Sequence, residues 1–103
     1  MTPIYDAKTL LQVATHARIA EYNRIKNDYI PAALLRINEE NFSAAGSGLQ
    51  SAMVDFNLLC MGLTTERAQG YFRTALAAEL EELGFTLKIE LFNNGMMKVT
   101  CKW

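Results

Sequence analysis

Apolar and polar residues alternate over the last stretch of the chain, FTLKIELFNNGMMKVTCKW. Phe85, Leu87, Ile89 and Leu91 interleave with Thr86, Lys88 and Glu90. After Asn93-Asn94-Gly95, Met97, Val99, Cys101 and Trp103 interleave with Lys98, Thr100 and Lys102. A period of two predicts two half-buried strands joined as a hairpin. Parity selects the turn. A two-residue Asn94-Gly95 loop would set Leu91 against Lys98 and Ile89 against Thr100, pairing apolar positions with polar ones on each face. A three-residue loop over 93–95 instead pairs Leu91 with Met97, Ile89 with Val99, Leu87 with Cys101 and Phe85 with Trp103, and sets Glu90 opposite Lys98. The sequence therefore predicts a type I turn followed by Gly95 in the left-handed conformation as a bulge. Trp103 is expected to close the core beside Phe85.

Upstream the period changes to that of a helix. Asp6 is a suitable N-cap, and helical spacing runs to about Asp28. One row is Leu10, Val13, Ala14, Ala17 and Ala20; a second is Leu11, Thr15, Arg18, Tyr22, Ile25 and Tyr29. A helix docked on one surface needs only one such row. Either both rows meet the same core, or the second row, with Leu11, Arg18, Tyr22, Ile25 and Tyr29, is a self-association surface. Pro31 is expected to break or kink the helix. Asp28 would cap a new segment that carries Leu34, Leu35, Ile37 and Phe42 to about Ala45, and Gly46-Ser47-Gly48 would end it.

Residues 50–59 fit two patterns. Ala52, Val54, Phe56 and Leu58 alternate with Ser51, Met53, Asp55 and Asn57 as in a strand, whereas Leu49, Met53, Phe56 and Cys60 fit a helix. The strand is preferred, because a lone hairpin is marginal in water and a third strand makes a viable sheet. Thr64 or Thr65 caps the next helix, with Glu66 in its first turn. Phe72, Ala75, Leu76, Leu80 and Leu83 are its expected buried stripe, and Gly84 its stop. The expected fold is α+β in a single domain over 1–103: a kinked N-terminal helical arm (1–46), then a β-α-β-β unit (47–103) whose three-stranded sheet is covered by helices on one face.

Composition adds bounds to this outline. A chain of 103 residues, half of them apolar, can bury one core without staples. The net charge of −1 argues against a dedicated DNA or membrane binder. Residues 1–36 carry five basic and three acidic groups, residues 37–84 two and seven, and the hairpin three and one. No apolar run approaches the roughly 20 residues that span a bilayer, and the polar-rich helix after Met1 to Tyr5 does not read as a secretory leader. Cys60 and Cys101 have no motif spacing. They read as reduced, partly buried thiols of a cytosolic protein, with a disulfide between them as the minor reading.

The chemistry-bearing residues do not assemble into a catalytic signature. His16 stands mid-helix without a sequence partner, and either cysteine would need it brought close by folding to act as a nucleophile. One His and two Cys at spacings of 44 and 41 are weak evidence for zinc. The neighbours Glu39 and Glu40 point in different directions on a helix, and Glu79, Glu81 and Glu82 read as a solvated face. No catalytic residue, cofactor or metal site is expected. Two surfaces remain. The outward face of the hairpin carries Lys88, Phe92, Met96, Lys98 and Lys102, a candidate partner-binding face with an exposed apolar pair beside the turn. Basic residues interleaved with aromatics, there and at Arg18, Tyr22, Arg24, Lys26, Tyr29 and Arg36, also suit a nucleic acid, though the overall acidity weakens that case. Either outer strand could accept a partner strand.

The order of elements in residues 40–103 resembles small accessory proteins of tailed bacteriophages. These run as a helical segment ending in small residues and Gly, a short strand, a helix ending in Leu-x-x-Leu-Gly-Phe/Tyr, and a hairpin closing on a terminal Trp. The matching residues are Ala44-Ala45-Gly46, Met53 to Leu58, Leu80-Glu81-Glu82-Leu83-Gly84-Phe85 and Lys102-Trp103. The resemblance implies a viral protein in the host cytoplasm or the virion that binds a host or viral protein. The expected function is thus protein–protein interaction with self-association, nucleic-acid binding ranking second and an enzyme third.

Overall fold

The computed structural model describes residues 4–103; part of the leader reading at Met1 to Tyr5 therefore lies outside the described residues. In chain order the elements are α1 (Ala7–Gly46), β1 (Ser51–Asn57), α2 (Glu66–Glu82), β2 (Thr86–Leu91) and β3 (Met96–Lys102). The sheet is antiparallel with order β1-β3-β2, so the C-terminal strand is central. Both helices cover one face. This is the α+β layout that the patterns predict.

Each boundary has a local cause. The Asp6 Oδ1 accepts from the Thr9 N–H at 2.7 Å, capping α1. The Thr9 hydroxyl first, and its N–H second, hold the Asp6 carboxyl below its ordinary pKa. At the far end the Leu49 N–H reaches back to the Ala44 carbonyl and the Gly48 N–H to that of Ala45, closing a Schellman turn. Thr65, not Thr64, caps α2, its Oγ1 accepting from the Ala68 N–H at 3.1 Å. The ambiguity over 50–59 resolves as the strand. Val54 and Phe56 point into the core, while Met53 and Asp55 point away from it.

Pro31 does not end the helix. α1 is continuous through it, and Asp28 starts no new segment. One proline deletes one helical hydrogen bond and crowds the preceding turn. Here the flanking residues are fixed by packing: Ile30, Ala33 and Ile37 are buried on one side while Pro31 faces solvent. Burial of those side chains outweighs the lost bond. The expected kinked two-segment arm is instead one helix of 40 residues.

α1 and α2 run in the same direction. Glu21 pairs with Arg67 in the first turn of α2 at 3.4 Å, Tyr22 meets Tyr71 edge to face at 5.6 Å, and Leu34 shares a groove with Leu80 near the end of α2. The part of α1 before Glu21 therefore extends past the start of α2. The molecule measures 68 × 28 × 19 Å, with a radius of gyration of 17.3 Å, against about 13 Å for a compact chain of this size.

The two rows of α1 exchange the roles the sequence suggests. Ile25 is fully buried, and Tyr22 and Tyr29 pack against the core. Leu10 and Val13, from the first row, are more than half exposed. Only the stretch from about residue 21 onward touches the body, and its core-facing positions (Ile25, Ile30, Ala33, Ile37) continue the phase of Tyr22, not that of Leu10. Leu83 also departs from expectation. It is 68% exposed, because it is the C-cap of α2, where the chain turns toward β2.

The hairpin has the register that parity selects. Leu91 pairs with Met97, Ile89 with Val99, Leu87 with Cys101 and Glu90 with Lys98. The Gly95 N–H donates to the Phe92 carbonyl at 3.1 Å, the Phe92 N–H to the Met96 carbonyl at 2.8 Å, and Gly95 has φ +79°. That is the type I turn with a glycine bulge. Phe85 and Trp103 meet edge to face with centroids 6.3 Å apart. Trp103 remains 41% exposed, so it caps the rim of the core instead of filling it.

Gly95 is fixed by its neighbour as well as its backbone. Its carbonyl accepts from the Leu58 N–H at 2.9 Å, which ties the turn to the end of β1. A Cβ there would stand 2.5 Å from the Leu59 Cγ. Gly84 has a similar φ of +92° and open space around it. Gly84→Ala should therefore cost about 1 kcal/mol of left-handed strain, and Gly95→Ala about 2–3 kcal/mol, since Leu59 must also move. Urea denaturation checks the order, and Leu59→Ala should return about 1 kcal/mol to the Gly95→Ala chain but nothing to Gly84→Ala.

Candidate functional site

The five residues of the predicted partner-binding face all lie on the sheet side that no helix covers, and they fall into two groups. Phe92, Met96 and Lys98 gather at the hairpin turn, where the Lys98 ammonium sits 5.9 Å from the centroid of the Phe92 ring, a cation–π contact. Lys88 and Lys102 lie further along the strands. Lys88 is held 3.6 Å from Glu90, and Lys98 lies in a row between Asp55 on β1 and Glu90 on β2. Acidic neighbours thus offset two of the three lysines. Arg36 lies over the Phe56 ring at 5.1 Å. This basic set is dispersed and partly matched, unlike the continuous positive groove that tracks a nucleic-acid backbone.

Beside the turn is a groove of about 530 Å³ between α2 and the end of β2, lined by Leu59, Thr64, Arg73, Leu91, Phe92 and Gly95 among others. Its apolar floor comes from Leu59, Leu91 and Phe92, each between 44% and 47% exposed. The loop before α2 is held there by the Gln69 side chain, which donates to the Leu63 carbonyl at 2.9 Å. Asn57 closes a turn by accepting from the Cys60 N–H at 3.1 Å. The outward parity of Phe92 was legible in the sequence. Leu59 and Arg73 carried no signal, because only the fold brings the loop and α2 to the turn.

A second groove, of about 310 Å³, runs between α1 and the end of α2, lined by Leu34, Leu35, Asn41, Leu80, Leu83 and Phe85 among others. Asn41 is a buried polar residue of the core, and among the described residues its Oδ1 has no hydrogen-bond partner. Its amide helps to stabilise a thiolate at Cys101, but burial is the larger influence and pushes the Cys101 thiol up. A raised pKa is the wrong direction for a nucleophile at neutral pH. Cys101 is buried on β3, Cys60 is exposed in the loop after β1, and His16 is exposed on the projecting part of α1. Among the described residues no three His, Cys, Asp or Glu side chains are grouped to hold a metal ion.

The Cys101 shift gives a pH dependence. Its folded pKa lies above the unfolded value, so its contribution is complete below the ordinary thiol pKa and is lost as pH rises through the folded value. Denaturant midpoints should therefore fall as pH is raised past the ordinary thiol range. A Cys101→Val chain, which keeps the volume and removes the titration, should fall less steeply.

The projecting part of α1 is the other candidate surface. Of the residues predicted for self-association, Leu11 and Arg18 are exposed, Tyr22 and Tyr29 are half-buried, and Ile25 has no surface to offer a partner. Leu10, Val13 and Ile19 add exposed apolar area to the same projection. Further along α1, Leu35 is 61% and Phe42 81% exposed. The sequence pattern placed these last two in a separate helical segment after Pro31 and gave them no surface role. Among the described residues, no helix is long and apolar enough to cross a membrane. No family model, curated protein or solved structure matches this chain.

Proposed function

We propose that this chain is a non-enzymatic interaction protein that associates with itself through α1 and meets a protein partner at the hairpin turn. The observation that carries the reading is the helix itself. About a third of its length extends beyond the body, bearing Leu10, Leu11, Val13 and Ile19 in solvent. An isolated helical projection gains little from propensity alone; its stability comes from packing an apolar face. A second copy supplies such a face in solution. At the turn, Phe92 and Lys98 beside the groove form a half-exposed aromatic anchor with a charged rim, the composition typical of contact sites. The layout that resembles tailed-phage accessory proteins would imply a binding role of the same kind. Light scattering on the full chain across a concentration series tests it: a concentration-dependent dimer or higher oligomer is expected, and a strict monomer throughout overturns the self-association.

A further inference from the structure

The outward face of α1 carries one row along almost its whole length. Leu10, Val13, Ala17 and Ala20 start it, at steps of three and four. Arg24 and Asp28 lie at its middle. Pro31, Leu35, Asn38, Phe42 and Ala45 continue it at the same steps, and every one of these residues is exposed. The average step is 3.5 residues, the period of a coiled-coil seam. In the second half of α1 this row lies opposite the core-facing positions Ala33 and Ile37, so the body does not obstruct it.

We propose that two copies of this chain pair antiparallel along this row, with the two-fold axis beside residue 26; the inference rests on the self-association reading and specifies its geometry. In that register Leu10 meets the partner's Phe42, Ala17 meets the partner's Leu35, and Arg24 meets the partner's Asp28. The axis repeats each contact. Large side chains then oppose small ones at Ala17 and Leu35, the alternation that fills a helix seam. Neither Arg24 nor Asp28 makes an ion pair in its own chain among the described residues, so both are free to face the opposite charge. A parallel pair would instead set Arg24 against Arg24 and Phe42 against Phe42, and like charges select against that arrangement. The antiparallel arrangement also opposes the two helix dipoles. A seam from residue 10 to residue 45 is roughly 54 Å long and about 10 Å wide, so it covers roughly 1,000 Å² over the two chains, the size at which a specific interface begins.

The test is sedimentation and light scattering on the full chain with exposed-site variants, whose helix content and urea midpoints are measured in parallel. Ala17→Glu and Leu35→Glu should each weaken dimerisation at least about tenfold while leaving the fold intact. Arg24→Glu and Asp28→Arg should each weaken it, and the double variant should recover, because the pair is re-formed with its signs exchanged. In a Cys60→Ser background, Ala17→Cys with Leu35→Cys in one chain should give a covalent dimer on oxidation, and Ala17→Cys alone should not. A dimer unmoved by all four charge variants overturns the seam and leaves the self-association reading standing. Cross-linking by Ala17→Cys alone overturns the antiparallel arrangement. A wild-type chain that is monomeric at every concentration overturns both.

Discussion

Replacing Phe72 by Ala should lower stability by about 3–5 kcal/mol and the melting temperature by roughly 15 °C or more. Phe72 is fully buried on α2. Its ring meets Phe56 of β1 edge to face, with centroids 5.8 Å apart and planes at 69°, an arrangement that adds to the area term. It joins the second helix to the edge strand furthest from it in the sheet order, across the layer that both helices share. Removing it leaves a cavity between the helices and the sheet that the surrounding backbone cannot fully collapse to fill. Phe72→Leu, which keeps most of the volume, should cost only about 1–1.5 kcal/mol. Thermal and urea unfolding measure both. Near-equal losses for Ala and Leu would mean that the site is not packed as described.

Phe72 was legible from spacing alone, as were Ala75, Leu76 and Leu80. Most of the C-terminal half was readable because its signals are local, although residues 50–59 fitted a helix as well as a strand and Leu83 turned out exposed. Period-two alternation fixed which face of the hairpin is apolar, parity fixed the turn, and a cap at Thr64 or Thr65 with a stop at Gly84 bounded α2. α1 was less readable because its information is not local. Two apolar rows on one helix look alike until the body shows which of them it covers, and it covers only the part after about residue 21. Pro31 marked a break by its chemistry, but burial of Ile30, Ala33 and Ile37 on the opposite side holds the helix through it. The candidate surfaces follow the same division. Phe92 and Lys98 were placed outward by parity, whereas the groove beside them needs Leu59 and Arg73 from elements distant in sequence. Leu35 and Phe42 were placed in a separate helical segment after Pro31, and the continuous helix leaves both in solvent.

The exchange of rows gives the second large effect. Ile25→Asp should destabilise the chain by about 5 kcal/mol or more, since it loses a buried side chain worth roughly 2–5 kcal/mol and places an unpaired carboxylate where none of its charge is solvated. Ile25 is fully enclosed where α1 first meets the body, next to Tyr22 and one turn before Tyr29. The carboxylate can escape burial only by becoming protonated or by lifting α1 away, and either response weakens the α1–α2 contact that includes the Glu21–Arg67 pair. Leu11→Asp lies on the same sequence row, yet its side chain is 64% exposed, and its effect on stability should stay within about 0.5 kcal/mol. Urea denaturation of the two variants separates them. An Ile25→Asp chain as stable as wild type would remove Ile25 from the core. The pair also governs how association experiments are read. Loss of a dimer in Ile25→Asp would follow from loss of the fold, because the residue that anchors α1 to its own sheet cannot at the same time report on a partner. Exposed positions such as Ala17 and Leu35 can, since a charge placed there remains in water in the monomer and becomes costly only when a second helix covers it.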